Sequence, residues 1–150
     1  MKYVTDEEVL RKKCKKCLNS RKGLLVGTRL LEILKEDPRV LGLAANQVGI
    51  DLAVCVVKVT KPIIFVNPEI IDKFGKTFFQ EACLSLPGNY VLTERWTNIV
   101  VRCGDSPTEM IFSFEKNPLE CVCVQHEIDH LIGITMLERA VDMEIFNVEN

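Results

Sequence analysis

The stretch Gln125–Gly133, QHEIDHLIG, places two histidines four residues apart, with a carboxylate directly after the first. On a helix, positions i and i+4 project from one face, so both imidazoles can reach a single ion at about 2 Å. Glu127 points to one side of the pair, where it could take a proton from a metal-activated water. His126 and His130 are the only histidines in the chain, which weakens the alternative of two hydrogen-bonded core histidines. The stretch therefore predicts a catalytic metal site on a helix.

The start of the helix that carries this stretch is indicated by its capping residues. Asn117 suits the N-cap, Pro118 the first helical position and Glu120 the third, from which its side chain can reach back to the cap. The sequence that follows, LECVCVQHEIDHLIG, is apolar on nearly every face, which is typical of a helix in a protein interior. We therefore expect one buried central helix surrounded by sheet.

Helices and then strands are expected ahead of this central helix. The charged segment from Thr5 to roughly Cys17 favours a helix, with acidic residues early and lysines late. From about Lys22 to Glu36 leucines recur at helical spacing, and Asp37-Pro38 stops the pattern. Strands are then predicted in DLAVCVVKV (51–59), in IIFVNPEII (63–71) and around Thr77–Phe79, Tyr90–Trp96, Asn98–Arg102 and Glu109–Phe114.

The fold class that fits this order is α+β, with antiparallel strands packed around the buried central helix and N-terminal helices before them. The length of 150 residues and the absence of linkers or repeats predict a single domain over residues 1–150. We expect it to be a monomer.

The bulk composition excludes several classes of partner. A net charge of −2 with 47% hydrophobic and 27% charged residues shows no bias toward nucleic acid or anionic membrane. No apolar run approaches the roughly 20 residues of a membrane span, and the start MKYVTDEEVLRKK lacks the apolar stretch of a signal peptide. We expect a cytoplasmic protein with no direct nucleic-acid or membrane partner.

Seven cysteines make an odd count in such a chain, which favours reduced thiols over a disulfide framework. Cys14 and Cys17 have zinc-knuckle spacing, but a structural zinc site needs a second pair, and Cys121-Val-Cys123 has the wrong spacing. The favoured interpretation is two small thiols on a basic amphipathic segment.

The histidine pair needs a third ligand, and the candidates are cysteines and carboxylates. The stretch QEACLSLPG around Cys83 stands out, because its Pro87-Gly88 turn and small residues allow close approach of the backbone to another element. A thiolate there could complete a Cys/His/His tripod with a fourth position open to water. The alternative is a buried structural cysteine in a strand.

Three stretches together resemble a known family. GLAANQVGI (42–50), EACLSLPG (81–88) and QHEIDHLIG occur in the order and approximate spacing of the three signature motifs of peptide deformylases, and the resemblance reaches from about Asp6 to Leu137. It implies Cys83, His126 and His130 as metal ligands and Glu127 as the general base. It also implies the Gln47 amide and the backbone N–H of Leu84 as the two oxyanion donors.

The resemblance also implies the reaction, the metal and the substrate. The reaction is removal of the N-formyl group from the N-terminal formylmethionine of newly made polypeptides, with release of formate. The expected ion is Fe²⁺, with Zn²⁺, Ni²⁺ or Co²⁺ able to take its place. The substrates are N-formylmethionyl peptides and nascent chains.

Around this centre the sequence suggests substrate contacts. Val122 and Cys123 lie one helical turn before His126 and could wall the pocket for the methionine side chain, although core packing explains them equally well. The peptide backbone could pair with the strand-like segment at Leu41 and Gly42 by strand addition. For Asp129, on another helical face, we expect a buried salt bridge.

The sequence departs from the family pattern at three places. Val40 replaces the first glycine of the first motif. Because Val does not easily hold a positive φ, we expect either an extended backbone at this position or a shifted loop. Ala82 replaces the glycine before Cys83 and should tighten the site. From Leu137 onward Arg139 is the only basic residue, so we expect no ribosome docking through a basic C-terminal helix. The cluster Arg11–Lys16 with Arg21 and Lys22 is interpreted as a solvated helix face.

Two other functions compete with this interpretation. An HExxH zinc peptidase would need a downstream third ligand such as Glu138 or Glu144, neither of which has supporting context. A deformylase-like scaffold that has lost catalysis is supported only by Val40 and Ala82.

Overall fold

The structure is a computed structural model that describes residues 3–141. Within these residues the α-helices are α1 (Glu7–Leu10), α2 (Ser20–Glu36) and α3 (Pro118–Leu131). The strands are β1 (Gly42–Ala44), β2 (Val54–Lys58), β3 (Pro62–Val66), β4 (Pro68–Ala82), β5 (Tyr90–Cys103) and β6 (Glu109–Ser113). Short 3₁₀ turns cover Ala45–Val48 and Met136–Arg139.

The strands form two antiparallel sheets of three strands, in the orders β1-β2-β3 and β4-β5-β6. Helix α3 contacts strands of both sheets, and its apolar residues share one core cluster with residues of β2, β3 and β5. The predicted α+β class with antiparallel strands is confirmed.

Helix α3 begins where the sequence predicts. The Asn117 Oδ1 accepts a hydrogen bond from the backbone N–H of Glu120 at 3.1 Å. The Glu120 carboxylate does not return to the cap, because it accepts from the Thr60 hydroxyl at 2.9 Å. From Cys121 to Leu131 every residue but one is buried, as expected for an interior helix.

The predicted helix from Thr5 to Cys17 is wrong over most of its length, since α1 ends at Leu10. Beyond it the backbone bonds to other elements instead of to its own preceding turn. The Cys14 N–H donates to the Leu131 carbonyl at 2.9 Å, and the Lys15 carbonyl accepts from the Ala53 N–H at 2.8 Å. Residues Arg11–Lys16 are therefore an irregular segment and not a helix face, whereas Arg21 and Lys22 are exposed on α2.

The thiols of this segment point inward, while the lysines between them are exposed. Cys14 packs in the core cluster around α3, and Cys17 packs in a second cluster between α2 and the first sheet. Burial raises the pKa of the Cys14 thiol to about 11, which keeps it protonated. All seven cysteines are free thiols.

Helix α2 starts slightly earlier than predicted. Its N-cap is Asn19, whose Oδ1 accepts from the Lys22 N–H at 3.1 Å, and it ends at Glu36 as the sequence indicates. Gly23 and Gly27 follow the start and are buried, with no room for a Cβ against the side chains of β3. Both glycines lie within the predicted range, and only Ser20 and Arg21 at the start of the helix were not predicted.

The second sheet is built on one long hairpin. The strand predicted over 63–71 is divided at Asn67, which has a positive φ of 51°, so that β3 ends at Val66 and β4 begins at Pro68. Strand β4 then continues to Ala82 through the strand predicted at Thr77–Phe79, with a register shift between Ile70 and Asp72. Strand β5 continues through Thr97, where the sequence suggested a break, because Thr97 fits a strand well. A turn after Cys103 separates β5 from β6.

The expectations for Val40 and for a membrane span concern described residues, whereas the one for the acidic C-terminal residues does not. Val40 does not have a positive φ, so its replacement of glycine needs no strained backbone. No described helix is both long and apolar enough to cross a bilayer. The acidic tail residues Asp142, Glu144 and Glu149 lie outside the described residues.

Candidate metal centre

The three predicted metal ligands converge on one point. Helix α3 presents His126 and His130 one turn apart, and their Nε2 atoms lie 3.3 Å from each other. Cys83 follows the end of β4, and its Sγ lies 3.4 Å from the His130 Nε2. The three donor atoms all lie within 4.8 Å of one another.

This geometry fits a divalent ion. Around a tetrahedral ion with Zn–N and Zn–S bonds of ordinary length, neighbouring donor atoms lie about 3.3–3.6 Å apart. The observed separations of 3.3 and 3.4 Å match that range. Three electron-pair donors this close in a buried site are mutually unfavourable unless a cation or proton lies between them. Thiolate with two imidazoles suits several transition metals.

The alternative third ligands lie elsewhere. The Glu138 carboxylate accepts from the backbone N–H of Thr135 at 3.1 Å and pairs with Arg11, so it caps a 3₁₀ turn. Glu144 lies outside the described residues.

A buried network of charged side chains holds His126 in place, and the sequence did not predict the two residues at its centre, Glu81 and Arg95. The Glu81 Oε1 lies 2.7 Å from the His126 Nδ1, and both Glu81 oxygens contact the Arg95 guanidinium at 2.6 and 2.8 Å. Arg95 also contacts Asp129 at 2.5 Å, and Arg139 pairs with the same carboxylate. Carboxylate partners of this kind fix the tautomer and ring orientation of a metal-binding histidine. The buried salt bridge predicted for Asp129 is confirmed.

The charge state of Glu81 follows from this network. Its burial favours the neutral acid, but the hydrogen bonds from His126 and Arg95 outweigh it and lower the pKa of Glu81 to about 2. The ionised carboxylate therefore faces His126. The sequence signals were the place of Glu81 inside EACLSLPG and the presence of Arg95 in a predicted strand, but neither reveals a partner distant in sequence.

Glu127 lies beside the ligands without bonding to them. It is 4% exposed, and its Oε1 has no hydrogen-bond partner among the described residues. Burial raises the pKa of Glu127 to about 7. A Cβ added at Gly42 would lie 2.6 Å from the Glu127 Oε2, so any other residue at this position would displace the carboxylate. The carboxylate is placed to exchange a proton with a molecule in the adjoining cavity.

The two predicted oxyanion donors face the same region. The Gln47 Oε1 accepts from the Ala44 N–H at 2.9 Å, which turns its Nε2 toward the Cys83 Sγ at 3.6 Å. The Nε2 also donates to the buried hydroxyl of Ser85 at 3.2 Å, a contact the sequence did not predict. No described residue accepts from the Leu84 N–H.

A cavity of about 440 Å³ opens onto the centre. Its lining includes all four predicted substrate-binding residues, which are Leu41, Gly42, Val122 and Cys123. Ala82 also lines it and is exposed. One wall belongs to β1, which is an edge strand of its sheet, and another to the first turns of α3. An extended chain can therefore enter along β1 and reach the three ligands.

Sequence comparison finds relatives over most of the chain. The profile of the family described as polypeptide deformylase matches residues 2–145. A peptide deformylase of Neisseria meningitidis serogroup C is 40% identical over 107 residues, which span 69% of this chain and 64% of that relative. A peptide deformylase of Hydrogenovibrio crunogenus is 45% identical over 97 residues, or 62% of this chain and 57% of the relative. The chain thus matches less than two thirds of the length of these relatives.

Solved structures share the fold as well. Peptide deformylase from Thermotoga maritima superposes with a TM-score of 0.82 at 28% identity, over 95% of this chain and 99% of that one. The enzyme from Vibrio parahaemolyticus bacteriophage VP16T, in complex with actinonin, gives a TM-score of 0.78 at 28% identity. That match covers 90% of this chain and 99% of the phage chain.

Proposed function

The chain belongs to the polypeptide deformylase family, and from that premise we propose that it removes the N-formyl group from N-terminal formylmethionine of newly made polypeptides, releasing formate. The observation that carries the proposal is the convergence of Cys83, His126 and His130 at a cavity that also holds the carboxylate of Glu127. Convergent metal donors and a buried carboxylate of raised pKa at a cavity are the parts of a metal-assisted hydrolase.

Three residues would hold the ion and one would move the proton. A divalent ion held by Cys83, His126 and His130 would polarise the formyl oxygen and acidify a water molecule. Glu127 accepts the proton of the attacking water and then delivers it to the leaving amine, which its unpartnered Oε1 and raised pKa allow. The carboxylate therefore acts first as base and then as acid.

The developing negative charge on the formyl oxygen would be held by two protein donors. The Gln47 Nε2 is oriented by its own Oε1 bond to Ala44, and the Leu84 N–H is without a described acceptor. Preorganised donors of this kind typically contribute about 10²- to 10³-fold to the rate each. Ser85, behind Gln47, keeps the amide in place.

Substrate binding is proposed to use the two walls of the cavity. Val122 and Cys123 offer an apolar surface for the methionine side chain, and the peptide backbone adds to the edge of β1 at Gly42 and to Leu41 directly before it. Because Gly42 lies against Glu127, this pairing would bring the blocked amino terminus to the proton acceptor.

The finer properties are also proposals. We propose Fe²⁺ as the working ion, with Zn²⁺, Ni²⁺ or Co²⁺ able to occupy the same donors, and a cytoplasmic monomer in which residues 1–150 form one catalytic domain. We propose no direct nucleic-acid partner and no ribosome docking through a C-terminal helix.

The test offers formylated and acetylated peptides to the iron-loaded protein under reducing, oxygen-free conditions. Formyl-Met-Ala-Ser should yield formate and free Met-Ala-Ser by mass spectrometry, whereas acetyl-Met-Ala-Ser and an internal Met-Ala bond should remain intact. Cleavage of internal bonds would support a peptidase instead. Retention of iron without turnover of the formyl peptide would support a scaffold that has lost catalysis. Protection from heat by actinonin would show that the cavity is formed.

A further inference from the structure

Arg39 stands at the open end of the cavity wall formed by β1 and the residues before it. The backbone turns there, because the Val40 N–H donates to the Asp37 carbonyl at 3.0 Å. Arg39, Val40, Leu41 and Gly42 all line the cavity, with Gly42 against Glu127 and Arg39 three residues before it. The Arg39 side chain is 85% exposed.

Arg39 sets the charge of the accessible part of this cavity. The other charged lining residues are Glu81 and Glu127, which are both buried beside the metal ligands. The remaining exposed polar lining residues, Gln80, Asn89 and Tyr90, are of types that carry no formal charge. Among the described residues, the exposed part of the lining therefore carries one formal charge, and it is positive.

The guanidinium is held in place but retains donors for a ligand. Its Nε and Nη2 contact the two Asp37 oxygens at 3.1 and 3.3 Å, which orients the group from within the same turn. No described residue contacts its Nη1. Asp37 is not among the lining residues. The remaining N–H groups of the planar guanidinium can thus donate to a second carboxylate, and arginine favours such paired hydrogen bonds.

The direction of the substrate follows from the two ends of the wall. The blocked amino terminus belongs at Gly42, next to Glu127, and the chain must leave toward Arg39 at the mouth. A peptide on this edge therefore runs antiparallel to β1. Since an extended substrate advances about 3.3 Å per residue, its third residue lies about 10 Å from the blocked terminus, at the end of the wall where Arg39 stands.

We infer that Arg39 recognises a carboxylate on the third residue of the substrate, and that the protein prefers acidic over neutral residues there. The inference rests on the proposed deformylation. Because Asp37 partly neutralises the guanidinium and the site is exposed, the preference is about two- to fivefold in kcat/KM. It weakens as salt screens the charges.

The test measures kcat/KM of the iron-loaded protein on paired peptides that differ only in charge. Formyl-Met-Ala-Glu-NH₂ against formyl-Met-Ala-Gln-NH₂ reports a side-chain carboxylate, and formyl-Met-Ala-Ala against its C-terminal amide reports a terminal one. We expect the acidic member to be favoured about two- to fivefold at low salt in at least the side-chain pair. The ratio should approach one in roughly 0.5 M NaCl.

Variants assign the preference to Arg39. Arg39→Gln should bring the Glu/Gln ratio to about one, and Arg39→Glu should invert it. The matched control is Arg102→Gln, which removes an exposed arginine that is also paired with a carboxylate, Glu109, but lies away from the cavity. That control should keep the wild-type ratio.

The outcomes separate this inference from the proposed function. Turnover of all peptides with a Glu/Gln ratio near one, or a ratio unchanged in Arg39→Glu, overturns the inference and leaves deformylation standing. Absence of turnover of every formyl peptide overturns both. Titration of the unformylated products Met-Ala-Glu-NH₂ and Met-Ala-Gln-NH₂ by NMR gives a second readout, in which the acidic product must bind more tightly to the wild type and to Arg102→Gln, but not to Arg39→Gln.

Discussion

The Oε1 of Glu81 lies 2.7 Å from the Nδ1 of His126, inside the protein and on the side of the ring opposite the metal donors. The second oxygen of the same carboxylate contacts Arg95 and the hydroxyl of Thr93. His126 is therefore oriented by a buried carboxylate whose own position is fixed by a cation. The hydrogen bond makes the Nδ1–H tautomer the favoured one and leaves Nε2 as a metal donor.

Glu81→Gln should weaken metal binding by about 10- to 100-fold. An amide binds the imidazole N–H less strongly and presents an N–H₂ group to Arg95, so the free energy of unfolding should also fall by about 1–3 kcal/mol. Chelator competition measures the first effect and thermal unfolding the second. The matched control is Glu94→Gln, which removes an exposed carboxylate of β5 paired with Lys76. Equal metal affinity in the two variants would contradict the orienting role.

Glu127→Gln should leave the fold and the metal content intact while deformylation falls by several orders of magnitude. The amide has nearly the same shape, but it cannot accept a proton at neutral pH. Steady-state kinetics on formyl-Met-Ala-Ser, with metal analysis of the same sample, measures both quantities. Activity within about tenfold of the wild type would exclude Glu127 as the base.

Gly42→Ala should lower kcat/KM by about 10²-fold without loss of metal, since displacements of about 1 Å at a reacting group have this effect. The added methyl would lie 2.6 Å from the Glu127 Oε2 and 2.8 Å from the Cys123 Sγ, so the carboxylate must move. A variant with full metal and activity within twofold of the wild type would show that the close approach has no catalytic role.

Cys83→Ser should weaken metal retention, because a hydroxyl is a poorer ligand than a thiolate for these ions. Lost binding also removes the stabilisation that a bound ion gives the folded state, so the melting temperature of the metal-loaded protein should fall. Cys103→Ser serves as the control, since Cys103 is a partly buried free thiol of β5 outside the metal group. Unchanged metal stoichiometry after dialysis of Cys83→Ser would exclude this thiolate as a ligand.

The sequence predicts the parts of the site that depend on local spacing. His126 and His130 share a helical face by periodicity alone, and the cap at Asn117 locates the start of that helix. Glu81, Arg95 and Ser85 escape such reasoning, because their partners lie on other elements. The contact of Glu81 with His126 joins residues 45 positions apart, and no local pattern specifies it.

The main error in the predicted fold, the helix after Leu10, has a similar cause. The segment after Leu10 has helical composition, yet its backbone bonds to the end of α3 and to the residues before β2. These distant bonds, with burial of Cys14 and Cys17, outweigh a weak local propensity. The continuous strand through Thr97 shows the same effect, since pairing with its neighbours in the sheet decides where a strand ends.

The central claim is that an ion held by Cys83, His126 and His130 is required to remove the formyl group. The most direct measurement follows formate release from formyl-Met-Ala-Ser as Fe²⁺ is added, without oxygen, to protein stripped of metal. We predict no release at the start, a linear rise, and a plateau at about one ion per chain. Undiminished release by the stripped protein, or none with about one ion bound, would contradict the claim.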